Sequence, residues 1–194
     1  MTAFQQLQYI IHHRRSIKPA QMNGKKINDS NIEEMLALAD LAPTHGHTEP
    51  WRFIIFSGKS LEKFSHDFSD MYKKYQHGEK FNPSKYEKMK TWHLQVSHVI
   101  VTYMHKGSNP KIPEQEEHAA VAAAMEHILL GATAHGIASF WSTTFPLYHD
   151  VFKKYLQLAE NESPMGIIFL GYSDSSFQPS KRNISLKEKV VWKE

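Results

Sequence analysis

Arg14, Arg15 and Lys18 crowd around Ser16, just beyond a segment with helical apolar spacing. Guanidinium forks and an ammonium beside a hydroxyl are groups that bind phosphate, in charge-assisted bonds worth about 1.5–3 kcal/mol each. The same cations also suit the C-terminus of a helix, whose partial negative charge attracts them. Alone, the cluster leaves both readings open. A second basic pair, Lys181-Arg182, follows Pro179-Ser180 late in the chain and by itself reads as a solvated loop.

The stretch LAPTHGHTEPWRF, Leu41 to Phe53, sets Thr44, His45, His47 and Glu49 between Pro43 and Pro50, directly before an aromatic and β-branched run. Prolines fix φ, so this polar turn is conformationally restricted. His45, His47 and Glu49, joined by His12-His13, are donors that suit zinc or iron. No HExxH or other spaced ligand framework accompanies them, which weighs against a metal. His118, His127 and His135 are too far apart along one segment to share a site and read as surface or packing residues. GxSxG, GxGxxG and the P-loop pattern are all absent, and so is cysteine. These absences remove serine-hydrolase, Rossmann, P-loop, thiolate and iron–sulfur chemistry. What remains is a phosphate-bearing ligand held by two basic clusters, beside a polar turn and aromatic residues.

These groups need elements to position them. Phe4, Leu7, Ile10 and Ile11 predict an amphipathic helix over Thr2 to His13, delivering the basic cluster at its end. A second helix is expected from about Ser30, with Ser30 and Glu33 at capping-box spacing. WRFIIFSG from Trp51 predicts a strand that places the polar turn between helix and strand. Residues 59–92 predict two helices, whose aromatic residues Phe64, Phe68, Tyr72, Tyr75, Phe81, Tyr86 and Trp92 read mainly as core. HVIVTYMH (98–105), Ala138 to Thr143 and Met165 to Tyr172 predict further strands. A long alanine-rich helix follows Pro113, and another follows Pro146 to about Leu158. The tail reads as loop until the apolar VVW of Val190 to Trp192, a late strand that could cross to a second subunit.

With 194 residues and 41% hydrophobic composition, one domain is expected. A net charge of +3, from scattered rather than clustered residues, does not point to nucleic acid. No apolar run approaches the roughly 18 residues of a membrane span, and a cytoplasmic location is expected.

In order along the chain, RRSIK (14–18), APTHGHTEPWRF (42–53), the alanine-rich segment ending AHGIASFWSTTF, and IIFLGYSDSSFQPSKRN resemble the nitroreductase family of flavin mononucleotide (FMN) enzymes. The resemblance implies an α+β, nitroreductase-like fold: a mixed, mainly antiparallel sheet flanked by helices. It also implies that residues 1–194 form a single domain of an intertwined homodimer, with FMN in two interfacial clefts. Arg14, Ser16, Lys181 and Arg182 are implied to hold the phosphate and ribityl oxygens, with Arg15 close by. Lys18 is implied at the flavin N1/O2 edge, where hydride addition at N5 leaves negative charge. Pro43, Thr44, His45 and His47 would reach the ring from the other subunit. The segment from Gly136 to Thr143, including Trp141, Ser142 and Thr143, would cover its opposite side with backbone groups near the polar edge. Where the family pattern carries Asn and Gln, this chain has His47 and Glu49. The implied activity passes hydride from NADH or NADPH through FMN to a nitroaromatic, quinone or related small molecule, both substrates using one cleft in turn. The alternative is an FMN-binding carrier, sensor or inactive relative without NAD(P)H turnover. Because the flavin carries the chemistry, no side chain is expected to be catalytically essential, and no metal is expected.

Overall fold

Buried strands of this chain find partners in a single antiparallel sheet. The computed structural model describes residues 1–175 and 181–193, so Pro179-Ser180 lies outside the described residues. The strands are β1 (Trp51–Ser57), β2 (His98–His105), β3 (Ala138–Ser142) and β4 (Glu162–Gly171), in the order β1-β2-β4-β3. The mixed character expected of the sheet reduces to one isolated parallel bridge, Ser16 to Ser139. There the Ile17 amide donates to the Ser139 carbonyl at 2.8 Å, laying the RRSIK segment along the open edge of β3.

Seven α-helices surround the sheet among the described residues: α1 (Ala3–His13), α2 (Asp29–Ala39), α3 (Gly58–Tyr75), α4 (Pro83–Lys90), α5 (Trp92–Gln95), α6 (Glu114–Ala134) and α7 (Asp150–Tyr155). Strand alternation divides the core between the two faces. Ile100, Met104, Ile168 and Leu170 point to α2 and α6, while Val99, Val101, Ile167 and Phe169 point to α3, α5 and α7. β2 and β4 are covered on both faces, which explains their nearly unbroken apolar runs. On the α6 side, Ala120, Ala124 and Ala132 are buried. At Gly131 an added Cβ would lie 3.1 Å from both Met35 and Leu38, so the absence of a side chain sets how closely α2 approaches α6.

Several elements depart in detail from sequence expectation. α2 begins at Asp29 with Asn28 as N-cap, and no side chain caps it. Asp29 instead faces His98 and Lys26, and Ser30 falls inside the first turn. The 59–92 stretch forms α3 and α4, with the four-residue α5 starting at Trp92, because Thr91 leaves helical geometry at φ −98°, ψ 7°. Phe64, Phe68 and Tyr72 are core residues, as expected, whereas Tyr75 is exposed. After Pro146 the chain first turns, and α7 starts only where the His149 ring accepts the Val151 amide. VVW is not a strand: Trp192 is 88% exposed, and no sheet partner meets it among the described residues. No described helix is long and apolar enough to cross a membrane.

Candidate functional site

A cleft of about 420 Å³ lies between α4 and α5 on one side and β3 and β4 on the other. Its wall carries Trp92, Phe140 and Phe169, and its rim carries Lys18, Lys85 and Lys88 with Ser84, Ser142 and Thr144. Sheet pleating brings Phe140 and Ser142, two residues apart on β3, to the same side. Pro19, buried at the start of a 3₁₀ turn, fixes the chain where Lys18 enters. Burial lowers the pKa of Lys85, whose ammonium lies 5.0 Å from the centroid of the Tyr72 ring. An anion in the cleft would relieve that penalty, so flat rings beside three ammonium groups suit a planar, anionic ligand.

Of the residues expected at a cofactor, Lys18 and Ser142 line this cleft. Thr143 is exposed beside it. The Trp141 side chain points to the other face, packing near Met125 and Gly166, and its indole N–H is buried without a partner. Only the Trp141 backbone is therefore left to face a ligand in the cleft. Arg14 approaches Glu126 of α6 through Nε at 3.7 Å. Arg15 lines a separate hollow of about 230 Å³ with Tyr9, His13 and Gly136, and its Nη1 donates to the Arg14 carbonyl. Ser16 stays exposed at the β3 edge. Lys181 and Arg182 are exposed too, and no hydrogen bond or ion pair among the described residues joins them to Arg14 or Ser16.

The proline-bounded turn lies outside the cleft of its own chain. His45 through His47 form a 3₁₀ turn in which Gly46 and His47 have φ of 59° and 54°, and Glu49 just beyond it has φ of 42°. The positive φ favours glycine at Gly46, and a Cβ there would lie 2.8 Å from the tip of the Ile112 side chain, which would have to move. The hydroxyls of Thr44 and Thr48 lie 3.0 Å apart, and the His45 ring contacts the Glu116 carboxylate of α6. Pro43, His45 and His47 are exposed. Thus His45 is anchored to a helix and does not gather with His47 and Glu49 around one point. His118, His127 and His135 are separately tied to the Glu114 carbonyl, the Leu38 carbonyl and the Glu34 carboxylate, as packing residues would be.

Sequence reasoning missed Lys85, Lys88, Met89 and Gln95 as cleft residues. A signal existed: Lys85, Met89 and Trp92 recur at helical spacing, one stripe mixing cation and ring.

The nitroreductase family model matches residues 11–172. The chain belongs to the nitroreductase family. Among its relatives is a Bacillus subtilis protein provisionally named NAD(P)H nitroreductase YfhC, 27% identical over 91% of this chain and 89% of its own. A nitroreductase-like family protein from Bacillus cereus has a similar fold, with TM-score 0.81, 24% identity and coverage of 100% of this chain and 99% of that one. The FMN-dependent nitroreductase NfnB from Mycobacterium smegmatis, solved in complex with NADPH, superposes with TM-score 0.77 at 17% identity, covering 98% and 99% of the two chains. The nitroreductase match takes in RRSIK, the polar turn, the cleft and β4, whereas Lys181 and Arg182 fall beyond it.

Proposed function

We propose that this nitroreductase-family chain is an FMN-dependent oxidoreductase that uses NADH or NADPH to reduce a nitroaromatic, quinone or related small acceptor, and that it works as a homodimer. The observation that carries this reading is the cleft, in which Lys18, Lys85 and Lys88 surround a wall of flat aromatic side chains. FMN, when bound, supplies a ring that accepts and returns hydride. Lys18 offers a fixed cation for negative charge at the ring edge, and Ser142 and Thr144 offer hydroxyls. Trp92, Phe140 and Phe169 keep water from one side. Arg14, Ser16, Lys181 and Arg182 would hold the phosphate, with Arg15 nearby, and Thr143 and the Trp141 backbone would border the ring. Donor and acceptor enter the same cleft in turn, giving ping-pong kinetics.

Two features support the dimer. α1 buries none of its residues: it exposes Phe4, Leu7 and Ile11, and its Leu7 and Ile10 line, with Leu38, Leu41 and Leu130, an apolar groove of about 330 Å³ between α1, α2 and α6. Such a surface fits a second copy. The constrained turn also stands outside its own chain's cleft, with Pro43 and His47 exposed and Thr44 and His45 held by Thr48 and Glu116, in a position from which the four would complete the partner's.

A visible spectrum of purified protein, loaded with FMN and desalted, then titrated anaerobically with NADH and NADPH, tests this reading. About one flavin per chain that bleaches with either nucleotide is expected. Retained flavin that never bleaches would favour a carrier or sensor, and no retained flavin would overturn the proposal. Arg14→Ala and Arg182→Ala should each weaken FMN retention about tenfold or more while leaving the unfolding midpoint nearly unchanged, as loss of a charge-assisted contact predicts. Unchanged flavin content in both would remove the phosphate assignment.

A further inference from the structure

Away from the cleft lining, Glu62 and His66 of α3 face His93 of α5, and we propose that these three side chains bind a zinc-class divalent cation that ties α3 to α5. One ligand atom from each residue lies within 4.8 Å of the others. Glu62 and His66 are four residues apart, so they project from the same side of α3 on successive turns. The rings of His66 and His93 have centroids 5.5 Å apart at 39°. Tetrahedral zinc with bonds of about 2.0–2.1 Å separates its ligand atoms by roughly 3.4 Å, a closure that side-chain rotation can supply.

A second observation sets this cluster apart from ordinary surface polarity. No hydrogen bond or ion pair among the described residues engages the side chains of Glu62, His66 or His93, although Lys63 and Asp67 pair at the same spacing on the same helix. The Nδ1 of His93 is buried with no hydrogen-bond partner, a state that folded proteins ordinarily avoid. Two imidazoles and one carboxylate form a donor set typical of zinc, with a fourth position for water. Calcium and magnesium prefer all-oxygen sites. α3 is anchored in the core by Phe64 and Phe68, whereas Trp92 and Gln95 of α5 line the cleft on either side of His93 in sequence. A bound cation therefore ties the cleft wall to the core.

Equilibrium dialysis of tag-free, chelator-treated protein against micromolar Zn²⁺, followed by elemental analysis, should find about one zinc per chain. His66→Ala, on an exposed side chain, and Glu62→Gln should each weaken binding about tenfold or more, at least as much as losing an outer-shell partner does. His118→Ala should leave binding unchanged. Zinc should raise the thermal midpoint of the wild type and not that of His66→Ala. Absence of zinc at micromolar concentration, or binding undiminished in both His66→Ala and Glu62→Gln, would overturn the site.

Discussion

On the α2/α6 face the sheet meets alanines interleaved with valine, isoleucine, leucine and methionine, and on the α3/α5 face it meets clustered phenylalanine and tryptophan. Ala120, Ala124 and Ala132 let α6 lie close over Ile100, Met104, Ile168 and Leu170, and Val121, Met125, Ile128 and Leu129 of the same helix fill the space that remains. Large rings fill the other side by mutual contact: Phe68 touches Phe64, Trp92 and Phe152 at centroid distances of 5.4, 5.5 and 5.2 Å. Rings packed at angles hold a layer open where they run out, and the cleft lies at that margin. The two faces should therefore fail in opposite ways. The ring-packed face should be most damaged by removing atoms, and the close-packed face by adding them.

Phe68→Ala carries the largest expected effect. Phe68 is fully buried, and truncating such a ring costs about 3–5 kcal/mol through lost transfer energy and the cavity left behind. Because Phe68 supports Trp92, flavin retention should fall together with stability. Urea unfolding and flavin content of the same preparation check both. Normal flavin binding in a destabilised protein would separate the cleft wall from the ring cluster and break the proposed link.

The difference between the faces also explains what could be read in advance. β2 and α6 were legible because their patterns are one-dimensional: a strand covered on both sides is continuously apolar, and an alanine-rich helix with acids in its first turn announces its start. The cleft was legible only as the Lys85, Met89 and Trp92 stripe, because Lys85 and Lys88 look like solvated helix residues until the sheet supplies the opposite wall. The direction of Trp141 was hidden for a similar reason. Alternation along β3 says that Phe140 and Trp141 point oppositely, but only the packed structure says which face holds the cleft. α5 escaped notice because Thr91 interrupts the helix without a proline or glycine. Lys18 and Ser142 lie far apart in sequence, and their convergence depends on RRSIK running beside β3, a pairing that one bridge and one backbone hydrogen bond mark.

Gly166→Ala sharpens the contrast from the other side. A Cβ at Gly166 would lie 2.4 Å from the Met125 methyl and 2.4 Å from the Trp141 indole nitrogen, so the Met125 side chain and the Trp141 ring must both give way. Overpacking of this kind costs about 1–3 kcal/mol. The loss should appear in the unfolding midpoint with little change in flavin affinity, since the strained atoms face away from the cleft. A gain in stability would show that the α6 face holds spare volume and that the two faces do not differ as described.

The smallest effect concerns a titratable group sealed under the close-packed face. His98 is 2% exposed at the start of β2, with its Nδ1 2.9 Å from the Ser97 hydroxyl and its Nε2 3.2 Å from Asp29. Burial lowers its pKa from the ordinary 6.5, Asp29 opposes that shift, and nearby Lys26 adds to it. The unfolded chain therefore takes up a proton near pH 6.5 that the folded chain still refuses. Stability from this group is complete above that pH and declines as pH falls through 6.5 toward the lowered folded value. Its slope cannot exceed the one-proton limit of about 1.4 kcal/mol per pH unit. His98→Gln keeps a polar side chain near Ser97 and Asp29 but cannot titrate, so its unfolding free energy should decline less than that of the wild type between pH 7.5 and 5.5. Equal declines in the two proteins would mean that acid sensitivity arises elsewhere, and that the seal over this face does not reach His98.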